Sequence, residues 1–223
     1  MSQRIFALFL AGAAVLSAQA AKPPAGIDPQ SYSRLPFIQR DSLDANGQRI
    51  FDAINADANG KVQNNPRMGP PAASLYSLAV SEPYDRINQL LRKTVAGPHY
   101  FELCTLIAAR EYDSQYEWTG HEPAARRAGV DQNVIDAVKF NRSLEGLPEK
   151  DSTVIQFGRD LFRKHRVDNA QFDKMVELFG KQGTIELVMT IGDYAMTAVL
   201  LNAVDQHLPP ERKPLLPETS GSK

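Results

Sequence analysis

The sequence contains a single cysteine, Cys104, among its 223 residues. One cysteine cannot form an intrachain disulfide, and it cannot supply the Cys-x-x-Cys pair of dithiol redox proteins. Basic residues (25) and acidic residues (26) nearly balance. No run rich in lysine or arginine is interleaved with aromatic residues, so nucleic acid is a poor candidate partner.

Long hydrophobic runs are also scarce, and the first lies at the N-terminus. Arg4 precedes an uncharged apolar run over residues 5–16, and Ala18-Gln19-Ala20 has the small-x-small pattern after which signal peptidase cuts. That run is shorter than the ~20 residues that span a bilayer, and Asp193 interrupts the best later candidate. We predict a signal peptide over residues 1–20 and a secreted or periplasmic protein without membrane association after cleavage.

Strand-like alternation is absent from the sequence, and apolar residues recur at helical spacing instead. Residues 21–40 predict an extended N-terminal arm, residues 41–207 a single helical domain, and residues 208–223 a flexible tail. The loop 61–71 is long enough to predict a lid or binding loop. Within an all-α domain, we expect a first helix capped by Asp44 or Ser42. Further helices are expected near 73–79, 82–95, 100–112, 114–128, 131–138, 149–164, 168–179 and 184–204.

The side chains best suited to chemistry lie between Glu102 and His121. Glu117 and His121 are four residues apart and share one helix face with Ser114. A turn at residues 112–114 would pack the Glu102 helix against the His121 helix. Two carboxylates and an imidazole could then move protons at neutral pH, or hold a metal as a two-carboxylate, one-histidine set, or do nothing.

Each of these residues also has a simpler interpretation. Glu102 could face solvent or pair with Arg110, since most charged side chains are exposed. Glu117 and His121 could be an exposed pair worth about 0.2–0.5 kcal/mol. The aromatic neighbours of Glu117, above all Trp118, favour a dry site instead.

Three further residues lie within apolar helical segments. Cys104 lies roughly 200° around the helix from Glu102, so we expect a buried thiol that faces away from the site. Asp193 and Tyr194 interrupt an apolar helix, where they either satisfy buried hydrogen bonds or line a pocket.

The segment from Glu102 to Gly129 resembles the carboxymuconolactone decarboxylase / alkylhydroperoxidase D superfamily. It is most similar to a branch with a Tyr-Glu-Trp signature followed by a histidine, which here are Tyr116-Glu117-Trp118 and His121. Only two residues separate Trp118 from His121 here, where the signature has three. Weaker similarity runs over about 35–207. The resemblance implies an all-α, alkylhydroperoxidase D-like fold and a homotrimer or homohexamer.

The alkylhydroperoxidase branch of this superfamily places a glutamate before a Cys-x-x-Cys-x-x-x-His motif that reduces peroxides. By this resemblance the glutamate falls on Glu102, the two cysteines on Ser114 and Glu117, and the histidine on His121. Peroxide reduction needs thiols, and both motif thiols are missing here.

We therefore expect cofactor-free acid–base chemistry on a small organic acid, by decarboxylation, isomerisation or lactone chemistry. Peroxidase-type antioxidant activity, with Cys104 and an external thiol, and non-catalytic binding of a small molecule are the alternatives. His121 is the expected general acid/base, Glu117 its orienting carboxylate and Glu102 the second acid/base. Arg110 is a candidate anchor for a substrate carboxylate. No metal or cofactor is expected, and the expected substrate-binding residues are Ser114, Tyr116, Trp118 and Tyr194.

Overall fold

The computed structural model describes residues 23–57, 59–62 and 66–217. Within these ranges the chain forms eight α-helices and no strand beyond an isolated antiparallel bridge between Ala56 and Val62. The all-α prediction is confirmed, whereas the predicted signal peptide lies outside the described residues. The helices are α1 (Ala45–Asn55), α2 (Pro70–Ser74), α3 (Leu78–Leu91), α4 (Pro98–Glu111), α5 (Gln115–Arg127), α6 (Gln132–Lys139), α7 (Glu149–Lys164) and α8 (Asn169–Ala203).

Helix α4 forms the centre of the domain. It packs against α5, α6, α7 and α8, and every residue from Phe101 to Arg110 is buried. Leu103, Leu106 and Ile107 anchor the main hydrophobic core. Because α4 is enclosed on most of its circumference, a polar residue on it must find its partners inside the protein.

Carboxylates cap two of the predicted helices. The side chain of Asp44 accepts a hydrogen bond of 2.7 Å from the backbone N–H of Gly47, and Asp168 accepts one of 2.8 Å from Gln171. Gly180 (φ 68°, ψ 170°) breaks α8 between the two helices predicted at 168–179 and 184–204. Glycine adopts this left-handed φ without a steric penalty, so the two helices follow one another with almost no loop.

Helices α2 and α3 begin earlier than predicted. The sequence predicts helices at 73–79 and 82–95, whereas the structure has α2 at Pro70–Ser74 and α3 at Leu78–Leu91. Pro83 lies inside α3, where its missing N–H leaves the carbonyl of Ala79 without its helical partner. Both residues are exposed, so water can solvate that carbonyl.

The two ends of the described chain pair with each other. The backbone N–H of Arg34 donates to the carbonyl of Val204 at 2.8 Å, and that of His207 donates to the carbonyl of Tyr32 at 2.7 Å. Residues 208–217, part of the segment predicted as a flexible tail, lie against the domain. Leu216 is only 5% exposed and belongs to the main core. Its burial gives this part of the tail a defined position.

Among the described helices, α8 is long and apolar enough to cross a membrane by length and composition alone. The expectation that Asp193 makes this helix too polar to span a membrane is therefore wrong by the criterion of length and composition. Half of its most apolar window is buried inside the protein, and α8 packs against α2, α3, α4 and α7. The central helix of a globular domain meets the same criterion, so its composition is accounted for by packing.

Candidate active site

The hairpin of α4 and α5 brings Glu102 and His121 together. Asp113 takes the left-handed conformation (φ 49°) in the predicted turn, and the N–H of Ser114 donates to the carbonyl of Ala109 at 2.8 Å. The two helices then run antiparallel. As a result, Nδ1 of His121 lies 2.8 Å from Oε2 of Glu102, although 19 residues separate them in the chain.

The imidazole lies between two carboxylates. Glu117, one helical turn before His121, places its Oε2 3.5 Å from Nε2 of His121. Glu102 is 8% exposed and Glu117 is 4% exposed, so the interpretation of either as a solvated side chain is wrong. Arg110 instead pairs with Asp113 at 3.0 Å.

An aromatic ring packs against the imidazole, and a guanidinium lines the same cavity. The ring of Tyr194 meets the ring of His121 edge to face, with 5.0 Å between centroids. The hydroxyl of Tyr194 accepts a hydrogen bond of 2.9 Å from Nη2 of Arg92. Arg92 also lies 5.0 Å above the ring of Phe101. These contacts hold the imidazole plane and place a cation in the cavity that the imidazole lines.

Helix α3 and the residue that follows it, Arg92, present side chains spaced four residues apart, which share one helix face. The hydroxyl of Tyr84 lies 2.6 Å from Oγ1 of Thr197, and Nδ2 of Asn88 donates to Oδ2 of Asp193 at 2.9 Å. Arg92 follows one turn later. The three side chains therefore attach α3 to α8 and border the same space.

A cavity of about 200 Å³ lies between these groups. Its polar lining includes Arg67, Tyr84, Arg92, Glu117, His121 and Tyr194. The predicted binding loop 61–71 contributes to its wall, and Gly69 explains how. A Cβ at this position would lie 2.5 Å from Cε1 of Tyr116, and φ is +83°. Glycine thus lets the loop pack directly on the Tyr116 ring, which closes the cavity on that side.

Burial sets the protonation of several cavity groups. It raises the pKa of Glu117, although the nearby His121 and Arg92 act in the opposite direction. Burial also raises the pKa of Tyr84 and Tyr194, and it raises the pKa of Tyr116 to about 12. The three tyrosines therefore keep their protons at neutral pH and can donate hydrogen bonds.

No protein-family model matches the chain, and no curated protein matches it. Nine chains of solved structures do. One is the alkylhydroperoxidase core of a peroxidase-related protein from Ralstonia eutropha JMP134, with a TM-score of 0.62, 14% identity and coverage of 80% of this chain and 93% of that one. The chain has the alkylhydroperoxidase D-like helical fold. Another match is the debrominase Bmp8, a cysteine-to-alanine variant in complex with 2,3,4-tribromopyrrole (TM-score 0.54, 14% identity, 76% of this chain and 88% of that one). At this identity the likeness establishes the fold.

The alkylhydroperoxidase D-like fold brings together five of the seven predicted site residues: Glu102, Tyr116, Glu117, His121 and Tyr194. Trp118 is fully buried on the other side of α5, where Nε1 donates to Oε2 of Glu122 at 2.5 Å. Ser114 lines a second cavity, beyond Tyr116. The structure therefore does not place Trp118 or Ser114 at the imidazole.

The cavity also contains residues that the sequence does not single out, chiefly Arg67 and Arg92. Arg92 lines the same cavity as the imidazole, whereas Arg110 pairs with Asp113. The spacing of Tyr84, Asn88 and Arg92 marks a polar face on α3. That spacing does not reveal which helix the face meets.

The thiol of Cys104 lies in the core rather than at the cavity. Cys104 is fully buried in the main core, and burial raises the pKa of its thiol. The prediction of a buried cysteine is confirmed, and Cys104 lines neither the cavity at His121 nor the cavity at Ser114. Within the described ranges, no group of three or more His, Cys, Asp or Glu side chains converges as a metal site.

Proposed function

We propose that the protein is an exported, cofactor-free acid–base enzyme. Its substrate would be a small organic acid, lactone or related carbon acid, and its reaction proton abstraction coupled to isomerisation or decarboxylation. One observation carries the proposal: the His121 imidazole lies between two buried carboxylates, at the wall of a small cavity that also contains Arg92.

In this proposal, His121 takes the substrate proton at Nε2. Its other nitrogen, Nδ1, is held by Glu102 at 2.8 Å, so a carboxylate oxygen keeps the ring proton on Nδ1 and leaves a lone pair on Nε2. Glu102 also stabilises the imidazolium that proton transfer creates. The orienting role that the sequence suggests for Glu117 therefore falls to Glu102.

Glu117 acts as the second proton donor and acceptor. Its burial raises its pKa, which favours the neutral acid that can donate a proton. An isomerisation then balances: Nε2 of His121 removes a proton from one carbon, Glu117 delivers a proton to the rearranged substrate, and transfer between the two side chains restores both.

The remaining groups orient the substrate. Arg92 would pair with a substrate carboxylate, and the hydroxyl of Tyr116 would donate to its oxygens. The volume of about 200 Å³ lies below the ~300–1,000 Å³ typical of drug-sized ligands, so the substrate is small. The debrominase of the same fold is bound to tribromopyrrole, a small ring of that size class.

The test is a turnover screen of small carboxylic acids and lactones, with variants measured on whichever substrate reacts. We expect His121→Gln to lose activity by about 10²–10⁴-fold, as removal of a general base does. Glu102→Gln should lower kcat, and Arg92→Gln should raise KM for acids. Full turnover by both His121→Gln and Glu102→Gln would refute the assignment. Saturable binding without any turnover would instead indicate a binding protein.

We also propose a homotrimer or homohexamer. The exposed face of α8 carries an apolar stripe at coiled-coil-like spacing: Ile185, Met189, Met196 and Val199, each about half exposed. Val80, Ile87 and Leu90 on α3 are exposed as well. Light scattering after size exclusion should give three or six subunits, and Met189→Lys combined with Met196→Lys should release monomers. A monomeric wild-type protein would contradict the proposal.

A further inference from the structure

A second cavity lies on the other side of Tyr116. Its volume is about 460 Å³, and it is bordered by the start of α5 and by the chain that follows α8. Tyr116 lines both cavities, so its side chain separates the second cavity from the imidazole of His121. None of the three proposed acid–base residues lines this second space.

Two buried polar atoms border the second cavity without a hydrogen-bond partner. They are Oγ of Ser114 and Nε2 of His207, and among the described residues only Asp193 has another such side-chain atom. Ser114 is 1% exposed, and although it precedes α5 its side chain does not cap the helix. Nε2 of His207 is 3.2 Å from Oδ1 of Asp205 but is not aligned for a hydrogen bond. Buried polar atoms are rarely left unpaired, so a pair of them at one cavity indicates a missing partner.

The charges around this cavity favour an acceptor as that partner. Arg212 contributes a guanidinium, and the first N–H groups of α5 have no acceptor within the helix. The two aspartates of the wall already have cationic neighbours: Asp113 lies 3.0 Å from Arg110, and Asp205 lies 3.7 Å from Arg34. Hydrogen-bond donors are therefore left for a ligand oxygen.

We propose that this second cavity is a binding site for a small carboxylate, with Ser114 Oγ and His207 Nε2 as its hydrogen-bond donors and Arg212 as its counter-ion. A carboxylate presents two acceptor oxygens, which match the two unpartnered atoms. The volume of about 460 Å³ admits an aromatic or short aliphatic acid. The proposal does not depend on catalysis at His121, because the two sites use different residues.

Benzoate is a suitable probe, with inorganic phosphate as a comparison anion. Titration of the full chain, followed by calorimetry and by amide resonances in NMR, should show benzoate binding that shifts the signals of Ser114, Gln115 and His207. We expect Ser114→Ala and His207→Gln each to weaken this site about tenfold, the loss of one hydrogen bond to a charged group. Arg92→Gln should leave it unchanged, because Arg92 lines only the first cavity.

Thermal unfolding of each variant provides the control for folding. Ser114→Ala removes an unpartnered hydroxyl and should leave the Tm unchanged or raise it. The proposal is overturned if saturating benzoate shifts only residues of the first cavity, or if both variants bind benzoate as the wild type does. It is also overturned if phosphate binds the site and benzoate does not, since the site is then not selective for carboxylates.

Discussion

Replacement of Glu117 by glutamine tests the electrostatics of the site without knowledge of the substrate. Glu117 is almost fully buried, and desolvation raises its pKa above the ordinary value of 4.5. The native state therefore holds its proton at pH values where the unfolded chain has released it. Stability must then fall as the pH rises from about 4.5 to the pKa of the native state. The Glu117→Gln variant lacks this proton and lacks the fall.

The size of the effect follows from one proton. Between the two pKa values, the free energy of unfolding of the wild type should fall relative to Glu117→Gln by up to about 1.36 kcal/mol per pH unit. Below about pH 4 both side chains are neutral, so the difference between the two proteins should be constant. Above the native pKa the difference in free energy of unfolding should be constant again. The variant should there be more stable relative to the wild type than it is at acid pH.

Urea denaturation at half-unit steps from about pH 3 to pH 8 measures these curves. Glu186→Gln is the matched control, because the hydrogen bond from Gln182 lowers the pKa of Glu186. Relative to that variant, the wild type should lose stability as the pH falls below about 4.5, which is the opposite sign. Parallel curves for wild type and Glu117→Gln would refute the reasoning, as would a wild type that gains relative stability with rising pH.

Three further predictions concern other parts of the chain. Gly158→Ala would place a Cβ 2.6 Å from Cγ2 of Ile107, so thermal unfolding should show a loss of about 1–3 kcal/mol, and an unchanged Tm would contradict this packing. His99→Gln removes a contact of 2.7 Å with Asp151, which raises the pKa of His99 above 6.5. That stabilisation is fully present below about pH 6.5 and is lost as the pH rises through the native pKa, so urea denaturation should show a larger loss at pH 5.5 than at pH 9. Expression in a Gram-negative host should give a periplasmic protein that begins at Ala21, and N-terminal sequencing that finds Met1 would disprove the signal peptide.

The sequence predicts the part of the site that lies on one hairpin. Glu102, Glu117 and His121 follow from local spacing, because helix periodicity and a short turn are enough to bring them together. The same reasoning correctly sends Cys104 to the opposite face of α4. The buried surroundings of α4 also follow, since most of its residues are apolar.

Residues that reach the site from elsewhere in the chain are harder to predict. Arg92 meets Tyr194 across 102 positions of sequence, and no periodicity within α3 encodes that pairing. Side-chain direction is the second difficulty. Spacing places Ser114 and Glu117 on one helix face, yet Tyr116 separates the cavities that they line. The proposed exchange of roles between Glu102 and Glu117 has the same origin, because it depends on which carboxylate the Nδ1 atom of His121 meets.

Solvent deuterium incorporation tests the central claim most directly. A carboxylic acid that binds the first cavity is incubated in D₂O with the wild type, with His121→Gln, and with His99→Gln as the matched histidine control. Proton NMR should show exchange at a carbon of the bound acid with the wild type and the control, and a loss of about 10²-fold or more with His121→Gln. Binding without any exchange, or equal exchange by His121→Gln, would contradict proton transfer by His121.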